Sequence, residues 1–107
     1  MNYKSTRGEE IEKASQAILN GIANDGGLYV PSSFPPITHQ EIEQMIGLEY
    51  KERAAFVLSK FLTDYTVEEL MEYADKAYAR FHGAPTPLVE VDENTYILEL
   101  WHGPTLA

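Results

Sequence analysis

Apolar residues recur at helical spacing in several stretches of the first 82 residues. The first stretch predicts a helix that follows a short strand at residues 3–6 and ends near Ala23. Its apolar positions are Ile11, Ala14, Ile18 and Ile22. The cluster Asn24-Asp25-Gly26-Gly27 then supplies residues that tolerate positive φ, so we expect a tight turn followed by a strand at residues 28–30.

Two further helices begin at recognisable caps. Thr38 and Thr66 are each followed three residues later by a glutamate, which is the spacing of a capping box. The helix after Thr38 should end near Gly47, and the one after Thr66 near His82. Another helix between them is predicted by an apolar stripe at Tyr50, Ala54, Val57, Leu58, Phe61 and Leu62. The buried side of the last helix is predicted to carry Leu70, Met71, Ala74, Ala77, Tyr78 and Phe81.

The pattern changes to that of strands after Pro85. Residues 88–91 and 96–101 are rich in β-branched and aromatic side chains and are joined by Asp92-Glu93-Asn94. They predict a hairpin, although a crossing between more distant strands stays open. The predicted class is therefore α+β, with a small, mostly helical domain over residues 1–82. The first strands of a second domain follow over residues 83–107.

Composition and charge limit the partners. Eight basic against seventeen acidic residues leave a net charge of -9, which repels nucleic acid and anionic membranes. The sequence has no cysteine, which excludes disulfides and thiolate metal sites and fits a reducing compartment. No apolar run approaches the roughly 20 residues that span a bilayer. We therefore expect a cytoplasmic protein that binds neither nucleic acid nor membrane.

The polar residues form no complete catalytic or metal-binding pattern. His39, His82 and His102 lie in different predicted elements without the spacing of metal ligands. We interpret His39 and His82 as residues at helix ends. Most acidic residues lie opposite the apolar stripes and are interpreted as solvated helix faces. Arg7 lies in the first turn and is interpreted as structural rather than as an anion ligand.

Four segments together resemble one known family. They are residues 3–8 (YKSTRG), 17–31 (AILNGIANDGGLYVP), 84–88 (APTPL) and 99–107 (ELWHGPTLA). In this order they resemble the threonine synthase family, in the branch that has an extra N-terminal domain. Residues 84–88 alone are similar to the start of the catalytic domain of fold-type II pyridoxal-phosphate enzymes generally. Two departures are Trp101, where phenylalanine is usual, and Lys13, where a serine often caps the first helix.

The resemblance implies a reaction and the location of a site. The family converts O-phosphohomoserine and water to threonine and phosphate, with pyridoxal phosphate as electron sink. Its run at residues 99–107 continues with Phe-Lys-Asp, so the Schiff-base lysine is expected two positions beyond Ala107. Residues 83–107 would then begin a truncated α/β pyridoxal-phosphate domain, which neither binds cofactor nor catalyses alone. The implied site-lining residues are His102, Gly103, Pro104 and Thr105.

Two other interpretations stay open. One is a phospholyase of the same family, which eliminates phosphate without making threonine. The other is a free-standing acidic interaction module, which is disfavoured because the sequence ends inside what resembles the cofactor loop. The large apolar residues of the tail, Leu98, Leu100, Trp101 and Leu106, would lack the cover that the rest of a catalytic domain gives them. We expect the tail either to self-associate through its exposed strands or to be mobile.

Overall fold

A three-stranded antiparallel sheet forms the N-terminal end of the molecule. The computed structural model describes residues 1–104. The central strand β1 (Asn2–Ser5) pairs with β2 (Ile11–Lys13) on one side and with β3 (Tyr29–Pro31) on the other. The predicted strands at residues 3–6 and 28–30 are confirmed within one residue. The prediction that Ile11 begins a helix is wrong, because backbone pairing of β2 with β1 outweighs the helical spacing of Ile11.

Helix α1 (Ala14–Asn20) is shorter than its pattern predicted. It ends at Gly21, whose φ of 72° is in the left-handed region that favours glycine. Ile22 instead pairs with Leu28 across the turn. Ala14 and Ala17 are the buried residues of the helix, whereas Ile18 is exposed. The prediction that the isoleucines form the buried face of this helix is therefore wrong. The small alanines face the sheet instead, and they allow the helix to lie close to it.

Three helices follow, namely α2 (His39–Met45), α3 (Tyr50–Phe61) and α4 (Val67–Tyr78). Both predicted capping boxes are confirmed, since the hydroxyls of Thr38 and Thr66 each accept a hydrogen bond from the amide of the glutamate three residues on, whose carboxylate accepts one from the threonine amide. Among the described residues, each helix is too short or too polar to cross a membrane.

The core of the helical part lies where α3 packs against α4. Leu70 and Ala74 are buried, as the stripe on α4 predicted. On α3 the buried residue is Ala55, which the predicted stripe did not include. A small side chain at this position allows the two helices to approach closely. Helix α4 ends at Tyr78, so the prediction that it continues to His82 is wrong.

The last two strands form a separate hairpin. Strand β4 (Leu88–Asp92) pairs antiparallel with β5 (Thr95–Leu98), and the register shifts between Glu90 and Asp92. Asn94 in the turn has a φ of 62°, a conformation that asparagine tolerates. The hairpin interpretation is confirmed, and β5 ends before Trp101. Every residue of both strands is exposed, so the hairpin contributes nothing to the core and presents two open faces.

The α+β class predicted from the sequence is confirmed. Four helices accompany short antiparallel strands that form two sheets within residues 1–104.

Candidate functional site

The segment after β5 turns back onto the chain that follows α4. The amide of Glu99 donates a hydrogen bond to the carbonyl of Pro87 at 2.9 Å, which extends the hairpin pairing beyond β5. Farther along, a methyl group on Gly103 would lie 3.3 Å from Cζ of Phe81. Glycine therefore permits a close approach of the backbone to this ring. The two contacts fix the segment that carries His102 at both ends.

His102 lines a small cavity at the place where the tail meets the helical part. The cavity has a volume of about 220 Å³ and is lined by His82, Gly83, Ala84, Pro87 and His102. The interpretation of His82 as a helix-end residue is corrected here, because α4 ends before it. Two histidines that are far apart in the sequence thus share one cavity, which no local pattern could have indicated.

Glu99 and His102 form a close polar pair beside this cavity. Oε2 of Glu99 lies 2.6 Å from Nε2 of His102, and their side chains are 21% and 39% exposed. The ring of Trp101 lies next to the imidazole, with 5.7 Å between the ring centroids and 34° between the planes. The pair is therefore partly shielded from water while His102 stays accessible. Sequence reasoning missed Glu99, because a three-residue spacing outside a helix carries no recognisable pattern.

Two of the predicted site residues, His102 and Gly103, thus lie together at the end of the helical part. Pro104 follows them and is exposed. Thr105 lies outside the described residues. Residues 87–104 contain no lysine or arginine. The segment can therefore offer an imidazole, a carboxylate and backbone groups to a ligand, but neither a lysine amine nor an arginine guanidinium for a phosphate group.

A second polar cluster joins the first turn to the turn before β3. The buried hydroxyl of Ser5 donates a 2.6 Å hydrogen bond to Oδ1 of Asp25 and accepts one from the amide of Arg7. The same oxygen of Asp25 accepts a hydrogen bond from the amide of Gly27 at 2.8 Å. These two hydrogen bonds, chiefly that from Ser5, hold the pKa of the Asp25 carboxyl below its ordinary value. The cluster therefore joins the end of β1 to the turn before β3.

No group of three or more His, Cys, Asp or Glu side chains within residues 1–104 is arranged to hold a metal ion. The tail segment with His102 is the candidate functional site, because it combines a cavity with a close pair of imidazole and carboxylate.

Comparison with known proteins identifies the family. Residues 2–78 match the family described as "Threonine synthase N terminus". Threonine synthase from Pseudomonas aeruginosa is 39% identical over 110 residues, which cover 100% of this chain and 24% of that protein. The crystal structure of pyridoxal-phosphate-bound threonine synthase from Brucella melitensis is 42% identical with a TM-score of 0.88, and the match covers 100% of this chain and 24% of that one.

A human protein, threonine synthase-like 1, is 35% identical over 96 residues, which cover 85% of this chain and 13% of that protein. The chain thus spans about a quarter of the length of the threonine synthases it matches and less of the human protein. It corresponds to their N-terminal region, because the family match over residues 2–78 is to that region. The chain therefore belongs to the threonine synthase N-terminal family.

Proposed function

We propose that this chain is the N-terminal part of a lyase that converts O-phospho-L-homoserine and water to L-threonine and phosphate. One observation carries this proposal, namely the 42% identity and TM-score of 0.88 to a threonine synthase over the whole chain. The match extends beyond residue 78 and includes the hairpin and the segment with His102. An interaction module that shared only the helical part would not be expected to match there.

We propose a domain boundary between residues 82 and 83. The family match ends at residue 78, which is also the last residue of α4. The hairpin beyond it is a separate sheet whose strands are exposed on both faces. Both features support an N-terminal domain over residues 1–82 and the beginning of a catalytic domain over residues 83–107. The open faces of the hairpin would be covered by the rest of that domain.

Pyridoxal phosphate is the cofactor in this proposal, and when bound it supplies an electron sink for carbanions. The threonine synthase from Brucella melitensis binds it. The residues present here fit the lining of such a site rather than its anchor, because residues 87–104 hold no lysine or arginine. His102, Gly103 and Pro104 would line the site, together with Thr105. The anchoring lysine would follow Ala107.

It follows that the chain of 107 residues binds no cofactor at a specific site and is inactive by itself. Its residues would act within a longer chain, where His102 and its neighbours would line the site. We also propose a cytoplasmic location and O-phosphohomoserine as the small-molecule substrate. The net charge of -9 supports the absence of nucleic-acid and membrane partners.

A phospholyase is the second candidate. It stays a candidate because one human relative, 35% identical over 96 residues, is named threonine synthase-like 1 rather than threonine synthase. A phospholyase would eliminate phosphate from the same substrate, and water would then hydrolyse the remaining product to 2-oxobutanoate and ammonia instead of adding to its carbon chain to form threonine. Both reactions release phosphate from the same substrate, so the N-terminal segment alone does not distinguish them.

Product analysis of the full-length enzyme separates the candidates. The enzyme is incubated with pyridoxal phosphate and O-phosphohomoserine, and phosphate, threonine, 2-oxobutanoate and ammonia are quantified. Equal amounts of threonine and phosphate are expected. Phosphate with equal amounts of 2-oxobutanoate and ammonia would identify the phospholyase. Release of no phosphate would refute both reactions and favour an interaction module.

A further inference from the structure

We propose that Glu99 is a positioning residue that fixes the imidazole of His102 in the site, an inference that rests on the proposed function of the tail segment. The distance of 2.6 Å between Oε2 and Nε2 is that of a short, charge-assisted hydrogen bond. The two residues lie three apart in a segment that is not helical, so regular secondary structure does not bring them together. Their contact depends on the conformation of this tail.

The chemistry of the pair determines which nitrogen carries the proton. An ionised carboxylate can only accept hydrogen bonds, so Nε2 of His102 must donate to Glu99 in the neutral and in the charged imidazole alike. Nδ1 is then the nitrogen left for a ligand. A carboxylate that orients a histidine in this manner is a common arrangement where an imidazole binds or moves a proton.

The backbone on both sides of the pair is held in place. On one side, the amide of Glu99 is bonded to the carbonyl of Pro87. On the other, Gly103 packs against the ring of Phe81. The side-chain contact with Glu99 therefore restricts the rotation of an imidazole whose backbone has a contact on each side. This combination is expected of a group that must be oriented before its ligand arrives.

The imidazole also has space beside it. The cavity of about 220 Å³ that His102 lines is several times the roughly 30 Å³ that one water occupies in the liquid. His82 is the other titratable side chain that lines it. A water or a polar group of a small ligand can therefore reach His102 without displacing the helical part.

Nitrogen-15 NMR of the 107-residue chain tests the pair itself. With labelled histidine, the Nε2–H proton of His102 is identified by its loss in His102→Ala. Its exchange with solvent should become about tenfold faster in Glu99→Ala, as expected when one hydrogen bond is lost. Glu99→Gln should retain slow exchange, because the amide oxygen still accepts. The matched control Glu90→Ala, on exposed strand β4, should behave like wild type. Unchanged exchange in Glu99→Ala would overturn the inference.

Kinetics of the full-length enzyme test whether the orientation matters. Glu99→Ala should lower kcat by a factor similar to that of His102→Ala, and the double variant should lose no more than either. Glu99→Gln should restore most of kcat, which a loss of fold would not allow. An unchanged kcat in Glu99→Ala would overturn the inference. If the wild-type enzyme makes no threonine, the proposed function fails, while the NMR comparison still decides whether Glu99 holds His102.

Discussion

The hydroxyl of Ser5 donates a 2.6 Å hydrogen bond to the carboxylate of Asp25, although 20 residues separate them. Ser5 is the one buried polar side chain among the described residues. Asp25 also accepts a hydrogen bond from the amide of Gly27, and a side chain at Gly27 would collide with the Ser5 hydroxyl. Side-chain hydrogen bonds therefore join β1 to the turn that precedes β3.

Replacement of Asp25 by alanine should destabilise the 107-residue chain. The buried hydroxyl of Ser5 would lose its acceptor, and an unpaired buried polar group costs about 1–3 kcal/mol. Urea denaturation followed by circular dichroism gives the change in the free energy of unfolding. Glu43→Ala is the control, since Glu43 is an exposed residue of α2. Equal stability of the two variants would show that the cluster contributes little.

Replacement of Leu70 by alanine tests the core between α3 and α4. Leu70 is only 2% exposed, and removal of such a buried leucine costs about 2–5 kcal/mol. Leu19→Ala provides the control, because Leu19 is 80% exposed and its loss should change stability by less than about 0.5 kcal/mol. Thermal unfolding of both variants should separate them clearly. A small loss of stability in Leu70→Ala would indicate that the hydrophobic core does not lie between α3 and α4.

Acid should weaken the contact between α2 and α3 through Glu41. The hydrogen bond from Lys60 and that from the amide of Thr38 lower the pKa of Glu41 from 4.5 to about 2. Because the folded pKa is the lower one, the stability that ionised Glu41 contributes is present above about pH 4.5 and is lost as the pH falls towards about 2.

Glu41→Gln should therefore show a smaller loss of stability across this pH range than wild type. Glutamine removes the charge but retains an oxygen that can accept the hydrogen bond from Thr38. Urea midpoints measured from pH 5 downwards, to about pH 2, give the comparison. Glu43→Gln serves as the control and should follow the wild-type curve. Parallel curves for Glu41→Gln and wild type would contradict the assigned pKa.

The isolated 107-residue chain should self-associate through its tail. Leu88, Leu98 and Trp101 are exposed, and burial of each is worth roughly 1.5–3 kcal/mol. Sedimentation equilibrium should show association that rises with concentration and disappears in Trp101→Glu. The control Ile46→Glu adds the same charge at an exposed position at the end of α2. A chain that stays monomeric and protects residues 95–98 from hydrogen exchange as strongly as its helices would contradict this expectation.

The sequence predicted correctly those features that depend on contacts between residues close together in the chain. The boxes at Thr38 and Thr66 are visible in the sequence because a cap and its glutamate lie within one helical turn. The absence of a cap at Lys13 was equally visible. The group that takes the place of this cap could not be predicted, because the amide of Ser15 donates its hydrogen bond to Asp64, which lies 49 residues away.

Longer-range packing explains the remaining differences. Ile11 has helical spacing but lies in a strand, because β1 offers it a pairing partner. In the candidate site, the family resemblance pointed to His102 and Gly103, whose role stays a prediction. It did not identify Glu99 or the proximity of His82, because both depend on how the tail folds back beyond the hairpin.

Identification of the lysine that binds the cofactor tests the central claim most directly. The full-length enzyme is loaded with pyridoxal phosphate, reduced with borohydride and digested, and the modified peptide is sequenced by mass spectrometry. We predict a single pyridoxyl group on a lysine two residues after Ala107, in the peptide that continues the segment with His102. A modification on any other lysine, or no stoichiometric modification at all, would contradict the account.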